Sequence, residues 1–449
     1  MNAVNFSDLK ANLSELRPVH PVGRIEAISA GVIIVSGLKD HACIGDCVRL
    51  LSRGQTERSG EIVQIRRDGT SVVLPDDRLE GLAAGCRVVL TKKPSIAPHQ
   101  SWIGRMIDAN GRAIDGMPLF QGAIRRDLQA PAPLAAKRQP LGTRLNTGLA
   151  AFDTLLPLVE GQRMGIFAGS GVGKSSLLAD FARGVSADVV VIALVGERGR
   201  EVRHFVEETL GAPGMKRAVV VAATSDQSPL MRRRCAWTAM ALAEHFRDLG
   251  QSVLFLADSV TRFAEAHREI ATAAGEAPVL RGFPASTTPL ITGLCERAGP
   301  GVAGSGHITG IFSVLVAGSD MDEPISDILR GVLDGHVVLD RSIAERGRFP
   351  AVELLRSISR SLPAAATPEE NGLIAEVRKA LGIYAKNEMM LSAGLYTYGS
   401  DPSIDHAAKL WPEIEDFLAK RHDQDVMYSF AQLKLALRRA NNSNGVGGG

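Results

Sequence analysis

The sequence predicts an α/β protein, in which a parallel sheet covered by helices lies between a small β-barrel and a C-terminal helical segment. Between about residues 20 and 95, short strand-like pieces alternate with turns. After residue 140, solid apolar runs alternate with longer helical patterns, and after about residue 365 helical patterns dominate. The chain has 449 residues, which is enough for two or three globular units.

The first 18 residues predict an amphipathic helix. Phe6, Leu9, Leu13 and Leu16 recur there at helical spacing, with charged residues elsewhere. Two interpretations stay open for this helix. It packs on its own protein, or it contacts a partner or a membrane surface, since it precedes the first domain.

The pieces between residues 20 and 95 predict a small β-barrel, with Asp68 and Gly69 forming a hairpin turn between the last two. Such barrels often bind nucleic acid by stacking bases on aromatic side chains. This segment contains no Phe, Tyr or Trp, and its 11 Lys and Arg nearly balance its 9 Asp and Glu. The composition therefore favours an assembly module over nucleic-acid binding.

The middle of the chain predicts buried parallel strands that alternate with helices. The apolar runs are RMGIFA, DVVVIALV, RAVVVAA, VLFLAD and GIFSVLVAG. A long helical pattern, MRRRCAWTAMALAEHFRDLG, separates two of them. A Pro- and Ala-rich connector at residues 129–140 precedes this region.

Charge and cysteine usage narrow the class of protein. A net charge of +2 gives no overall electrostatic case for a nucleic-acid or anionic-membrane partner. Five scattered cysteines suit free thiols in a reducing compartment. Cys43 and Cys47 are expected to be buried, because nothing nearby completes a metal site. With no membrane-spanning apolar run and no signal pattern, we expect a cytoplasmic protein.

The stretch FAGSGVGKSSLL predicts a P-loop, whose backbone N–H groups surround phosphates. The predicted nucleotide-binding residues are Ala168, Gly169, Ser170, Gly171, Val172, Gly173, Lys174, Ser175 and Ser176. Lys174 would neutralise the β- and γ-phosphates, and Ser175 would ligate Mg²⁺. Ala168 stands where the usual pattern begins with glycine, at a strand end where ordinary dihedrals tolerate a methyl group.

Two other strand ends carry candidate residues. Asp258 ends the run VLFLAD and is the candidate carboxylate for holding Mg²⁺. Glu197 and Arg198 follow another buried strand, at the carboxyl edge where such sheets bind ligands, and are candidates for orienting the attacking water. For these two residues a solvated charged loop stays open as the alternative.

Seven stretches together resemble one family, the hexameric P-loop ATPases that include the rotary ATP synthase catalytic subunit and the type III protein-export ATPases. They are AGSGVGKSSLL, ALVGERGREV, TSDQSPLMRRR, LADSVTRFAEAHREI, RGFPAS, LDGHVVLDRSIAERGRFPAVELLRSISR and GSDPSIDHA. They follow the family's order, and the similarity extends over about residues 22–420. Three of these stretches are most similar to the export branch, within which we favour a flagellar member: TSDQSPLMRR, LDGHVVLDR and LRSISR.

The resemblance implies roles for individual residues. Glu197 matches the glutamate that activates the hydrolytic water, while Arg198 and Arg262 match arginines near the γ-phosphate. Phe349 occupies the place of an aromatic that stacks on adenine. Arg360 matches an arginine finger that reaches into a neighbouring subunit's site, which makes a ring necessary. Without the resemblance, Arg360 would be interpreted as a surface or sheet-edge residue.

The resemblance also implies a RecA-like P-loop ATPase core with an N-terminal β-barrel and a C-terminal helical domain. The expected divisions are a helix at 1–18, a barrel at 19–95, an ATPase domain at 96–365, a helical domain at 366–440 and a disordered tail at 441–449. The implied protein is a homohexamer that uses ATP and Mg²⁺ to energise flagellar type III export, releasing chaperones and unfolding substrates.

The expected partners are a regulatory export-apparatus subunit, a stalk protein, export chaperones and their substrates, with peripheral contact to the inner membrane and no nucleic acid. Some positions depart from the family pattern: Phe349 replaces a usual tyrosine, and Glu353 a usual Asp or Asn. Alanine at 168 is common in the export branch. The first half of ASTTPLITGLCERAG is divergent, which weakens any inference about pore-side contacts.

Three alternatives stay open. A virulence-type secretion ATPase would share the same motifs. A rotary synthase subunit is disfavoured because several motifs are most similar to those of the export branch. A noncatalytic synthase subunit is also disfavoured because such subunits typically lack the acid found here as Glu197. An RNA-dependent translocase is disfavoured by a barrel segment without aromatic residues.

Overall fold

The described chain has three parts: a closed barrel, a central sheet with helices on both faces, and three C-terminal helices. The computed structural model describes residues 19–442 apart from 30, 53–56, 77–78, 317–320 and 322. The helix predicted at 1–18 and most of the tail predicted at 441–449 lie outside the described residues. The predicted fold class is confirmed.

Six antiparallel strands close the barrel in the order β1-β2-β5-β4-β3-β6. They are β1 (Val22–Ser29), β2 (Val32–Ser36), β3 (Cys47–Leu51), β4 (Glu57–Ile65), β5 (Ser71–Pro75) and β6 (Arg87–Leu90). Ile33, Val48 and Ile62 point inward and are fully buried. The predicted turn between β4 and β5 is confirmed, because Gly69 has a φ of +86° and Asp68 accepts the Thr70 N–H at 2.9 Å. The sequence pattern did not indicate β6.

The remaining elements alternate strand and helix through the middle of the chain. The strands are β7 (Ser95–Ile96), β8 (Met106–Ile107), β9 (Arg126–Asp127), β10 (Arg163–Ala168), β11 (Val189–Glu197), β12 (Ala218–Thr224), β13 (Val253–Asp258), β14 (Pro278–Leu280), β15 (Phe283–Pro284), β16 (Gly299–Pro300), β17 (His307–Leu315), β18 (Gly335–Leu339) and β19 (Ile358–Ser359). The helices are α1 (Ala150–Thr154), α2 (Lys174–Gly184), α3 (Gly199–His204), α4 (Gly211–Met215), α5 (Pro229–Asp248), α6 (Val260–Ala273), α7 (Thr287–Arg297), α8 (Pro324–Val332), α9 (Arg341–Glu345), α10 (Pro368–Ser392), α11 (Pro402–Leu418) and α12 (Val426–Asn442). A π-helical segment, Phe205–Leu210, joins α3 to α4, and three-residue 3₁₀ turns lie at Gln100–Trp102, Ala135–Lys137 and Leu354–Arg356.

The central sheet has the order β19-β18-β10-β17-β13-β11-β12-β8, and its long strands are parallel. These strands are mostly apolar, since helices cover both faces of the sheet. One core contains side chains of α1, α2 and α10–α12, and the other contains side chains of α5–α8. All five predicted core runs form strands. β18, between α8 and α9, was not indicated by an apolar run of its own.

The C-terminal helices begin with a well-defined start signal. Thr367 accepts the Glu370 N–H at 3.2 Å, and the Glu370 carboxylate accepts the Thr367 N–H at 2.8 Å. This capping box fixes the first turn of α10. Among the described residues no helix is both long and apolar enough to cross a membrane.

The cysteines are all free, and the expected burial of the first one was wrong. Cys43 is exposed, because it lies in a turn where its N–H donates to the Asp46 carboxylate at 2.8 Å. Cys47 is half-buried. No group of three or more His, Cys, Asp or Glu suited to a metal ion occurs in the part of the chain that the structure describes.

A buried charge cluster joins the barrel to the central domain. Glu61 on β4, only 3% exposed, accepts hydrogen bonds from Arg233 at 2.7 Å and from Arg234 at 2.9 Å, both on α5. Arg234 also donates to Asp76 of the barrel at 3.2 Å. Burying charges is costly unless they are paired, so the cluster fixes the barrel to α5 only while each partner is present.

Glu61→Ala is expected to lower the free energy of unfolding by about 3–5 kcal/mol, because it leaves two buried arginines without their shared carboxylate. Urea denaturation measures the change. Glu57→Ala is the matched control on the same strand, where an exposed pair with Arg49 at 3.2 Å contributes below about 1 kcal/mol. Equal effects of the two substitutions would contradict this role for the cluster.

Candidate active site

The predicted P-loop connects β10 to α2 with the backbone that an anion cradle requires. Gly171 has a φ of +76° and Gly173 a φ of +84°, a region that favours glycine. Ala168 is instead the last residue of β10, where it pairs with Leu315 and Leu339 in the sheet. The backbone thus explains why a methyl group is tolerated at position 168 and not at the two later glycines.

Lys174 begins α2 and forms an ion pair with Asp258, which ends β13. Asp258 is 4% exposed and also accepts a hydrogen bond from the Ser313 hydroxyl at 2.7 Å. Ser313 lies on β17, the strand between β10 and β13. Sequence reasoning missed this serine, although a lone hydroxyl in the apolar run GIFSVLVAG was a usable signal.

The oxygen donors beside Lys174 fit a magnesium ion. Ser175 and Ser176 are exposed in the first turn of α2, close in sequence to the lysine that contacts Asp258. Hydroxyl and carboxylate oxygens suit Mg²⁺, which usually takes its other ligands from phosphates and water. A Cβ placed on Gly171 would meet nothing within 4 Å, so the loop is open on that side.

Glu197 ends β11 at the same edge of the sheet and is half-buried. Burial raises the pKa of its carboxyl to about 7, and the negative charge of Asp258 adds to the rise while Lys174 opposes it. Glu201 shares a hydrogen bond with Glu197, which favours the proton on Glu197. The site therefore holds a carboxyl that changes charge near neutral pH, as a general base does.

The two candidate arginines next to Glu197 point to carboxylates of their own helices. Arg198 donates to Glu201 at 2.8 Å, and Arg262, in the first turn of α6, donates to Glu265 at 2.9 Å. Both are exposed, and the stem of Arg262 lies against Gly196. In this structure both guanidinium groups are therefore engaged by these carboxylates.

Phe349 lies on the other side of the P-loop. Its ring is 42% exposed, and a Cβ placed on Gly173 would lie 3.0 Å from the ring's Cδ1. An exposed aromatic face beside a phosphate loop is suited to stack on a base. Glu353, one of the departures from the family pattern, accepts the Leu355 N–H at 3.1 Å and caps a 3₁₀ turn.

Arg360 is the one predicted site residue that lies away from the others. It follows β19, and its N–H donates to the carbonyl of Asp334, just before the amino end of β18, while its guanidinium donates to the Arg330 carbonyl at 3.1 Å. The P-loop follows the carboxyl end of β10, a strand parallel to β18. Arg360 therefore lies at the amino end of β18, whereas the P-loop follows the carboxyl end of the adjacent strand.

Comparisons with known proteins find both matching family models and similar relatives. A model of the ATP synthase alpha/beta family, nucleotide-binding domain, matches residues 148–359, and a model of the T3SS EscN ATPase C-terminal domain matches residues 366–437. The chain is 42% identical to the flagellum-specific ATP synthase of Caulobacter vibrioides over 423 residues, covering 93% of the chain and 95% of the relative. It is 40% identical to the type 3 secretion system ATPase of Xanthomonas euvesicatoria, with 93% of each covered.

Solved structures of similar ATPases superimpose on this chain. The assembled ATPase EscN from the type III secretion system of enteropathogenic E. coli superimposes with a TM-score of 0.85 at 36% identity, covering 92% of this chain and all of that one. EscN in complex with its central stalk EscO has a TM-score of 0.82 at the same identity and coverage.

Glu197→Gln is expected to stabilise the nucleotide-free protein, and more so at pH 8 than at pH 5. The carboxyl has a pKa of about 7 in the folded chain against a usual 4.5, so its ionisation opposes folding as the pH rises from about 4.5 to 7. An amide avoids this cost. Urea denaturation at the two pH values measures the difference.

Glu207→Gln serves as the control, because Glu207 is exposed and pairs with Arg203 at 2.9 Å on the surface. Its effect should be small and similar at both pH values. A stability gain from Glu197→Gln that is the same at pH 5 and pH 8 would contradict the raised pKa.

Proposed function

The chain belongs to the family of flagellar and type III secretion ATPases, and we propose that it hydrolyses MgATP in a homohexameric ring to energise flagellar protein export. The observation that carries the proposal is the meeting of Lys174, Asp258 and Glu197 at one edge of a parallel sheet. Phosphoryl transfer to water uses a lysine for the phosphates, a carboxylate oxygen for Mg²⁺ and a carboxyl group that titrates near neutral pH.

In this proposal the P-loop residues bind the phosphates through backbone N–H groups, and Lys174 moves from Asp258 to the β- and γ-phosphates. Ser175 and Asp258 hold Mg²⁺, which when bound supplies positive charge to the phosphate oxygens. Arg198 and Arg262 turn from Glu201 and Glu265 toward the γ-phosphate. Their exposure leaves both side chains free to make that movement.

Glu197 is the proposed general base. It orients a water molecule and accepts a proton from it at a carboxylate oxygen, which requires the ionised form. Its pKa of about 7 therefore leads us to expect kcat/KM to rise with pH through that value.

Arg360 is proposed to complete the site of the neighbouring subunit. Its separation from its own P-loop supports a role in trans, and a positive charge supplied there would stabilise the transition-state oxygens. If each site takes its arginine from a neighbouring subunit, every site has one only when the ring is closed.

The proposed use of the energy is release of chaperones from export substrates and unfolding of those substrates. The flagellum-specific relatives and the EscN-type C-terminal domain at residues 366–437 support the export branch. We further propose contacts with a stalk protein and a regulatory export-apparatus subunit, with residues 1–18 binding a partner or the inner membrane surface. A virulence-type system is the second candidate, favoured by the 40% identity to the Xanthomonas euvesicatoria protein.

Mixing two inactive variants is expected to restore activity. Glu197→Gln and Arg360→Ala should each lower kcat at least about 100-fold. If sites form between subunits, co-assembled rings regain intact sites wherever an Arg360→Ala chain meets a Glu197→Gln neighbour, about a quarter of all sites on random mixing. Steady-state ATPase assays on co-expressed, doubly tagged rings measure the recovery.

The control mixture pairs Glu197→Gln with Lys174→Ala. Both residues belong to the same chain's half of the site, so no intact site can form and the mixture should stay inactive. The proposed arrangement is wrong if the first mixture also stays inactive while the variants demonstrably co-assemble.

Capture of the tagged chain from its native cells is expected to bring down flagellar chaperones and basal-body components. Mass spectrometry identifies the bound proteins, and a variant lacking residues 1–18 should lose part of them while still binding ATP. Virulence effectors in place of flagellar components would favour the second candidate, and synthase subunits would overturn the export role.

A further inference from the structure

The segment Arg346–Pro350 lies between the P-loop and the C-terminal helices. On one side Phe349 packs against Gly173 of the P-loop. On the other side two arginines of the segment contact α10 and α11. The aromatic residue proposed for adenine is thus next in sequence to a contact with the C-terminal domain.

Arg348 makes that contact from a buried position. Its side chain is 8% exposed, and its Nε donates to the Glu415 carboxylate on α11 at 2.9 Å. Its two terminal nitrogens donate to the carbonyls of Pro350 at 3.1 Å and Val352 at 2.9 Å. All three nitrogens are therefore used, and two of them bind the backbone that follows Phe349.

The surroundings make Glu415 the partner that matters most. Burial lowers the pKa of Arg348 and the Glu415 charge opposes that shift, so this carboxylate compensates for the cost of burying the charged guanidinium. Arg346 adds a weaker contact, since it lies 3.5 Å from Glu388 and over the Trp411 ring at 6.0 Å, with both charged groups about half exposed.

We propose that Arg348, held by Glu415, is a positioning residue for the nucleotide base: it fixes the backbone that presents Phe349 beside the P-loop. The inference rests on the proposed function, in which Phe349 stacks on adenine. Phe349 is 42% exposed and lies against Gly173, so the segment's backbone decides how its ring is presented beside the P-loop. Positioning in advance strengthens binding by reducing the entropy lost when the base arrives.

The consequence is a selective effect on the base. Phosphate contacts belong to the loop at residues 168–176 and do not pass through Arg348. Weakening the Arg348–Glu415 contact should therefore lower affinity for an adenine nucleotide while leaving affinity for a bare chain of phosphates unchanged. A purely structural role would weaken both ligands together.

The test compares binding of adenylyl imidodiphosphate and inorganic tripolyphosphate, both with Mg²⁺, by isothermal titration calorimetry on the full chain. Arg348→Ala is expected to weaken the nucleotide about three- to tenfold, a fraction of what loss of base stacking costs, with tripolyphosphate unchanged. Glu415→Gln should give a smaller loss of the same kind. Adding Arg348→Ala to Phe349→Ala should cause no further loss, because Arg348 acts through the ring.

Arg341→Ala is the control, since its pair with Glu345 at 2.9 Å is exposed on α9, a few residues away. Urea denaturation reports whether each variant is folded, and Arg348→Lys and Glu415→Gln carry the test if Arg348→Ala does not fold. The inference is overturned if these variants bind the nucleotide like the wild type, or lose both ligands equally, while Phe349→Ala alone weakens the nucleotide. If Phe349→Ala has no effect, the base contact in the proposed function fails, and the inference fails with it.

Discussion

The parallel alignment of β10, β17, β13 and β11 is the constraint on which the active site depends. Because these strands run in one direction, the chain leaves each of them at the same edge of the sheet. That edge therefore receives Lys174 after β10, Asp258 at the end of β13 and Glu197 at the end of β11. A register slip of one residue would turn the Asp258 side chain to the opposite face and separate it from Lys174 and Ser313.

The same edge brings several carboxylates close together. Asp258, Glu197 and Glu201 lie near one another, Lys174 contacts Asp258 and Arg198 contacts Glu201. Burial, together with the charge of Asp258, keeps the proton on Glu197 up to about pH 7. Cations brought to the edge favour the ionised carboxylate, so in the proposed function the arrival of magnesium and of arginine side chains also favours the form of Glu197 that accepts a proton.

Local chemistry explains what the sequence could predict. The P-loop, the apolar strands and the strand-end acids each depend on a few consecutive residues, and the positive φ values of Gly171 and Gly173 follow directly from the glycines. Cys43 was expected to be buried because nothing nearby completes a metal site, and the turn that exposes it depends on Asp46.

Contacts between distant parts of the chain could not be predicted from short stretches of sequence. Ser313 meets Asp258 across 55 residues, Arg348 meets Glu415 across 67, and Arg234 meets Glu61 across 173. No periodicity or motif encodes such pairs, because each depends on how whole elements pack. The short strands β6 and β18 were missed for a similar reason, since partners on both sides stabilise them.

The position of Arg360 connects the active site to assembly. In the proposed function Arg360, at the amino edge of its own sheet, serves a neighbouring subunit's site, which requires the amino edge of one sheet to face the carboxyl edge of the next. Under that arrangement an isolated chain binds nucleotide but lacks one of the charges that hydrolysis needs. In the proposed function the C-terminal domain contributes through Arg348 and Glu415, so the phosphates, the base and the transition state each depend on a different part of the ring. Hydrolysis would then be conditional on contacts outside the nucleotide site, as its coupling to export requires.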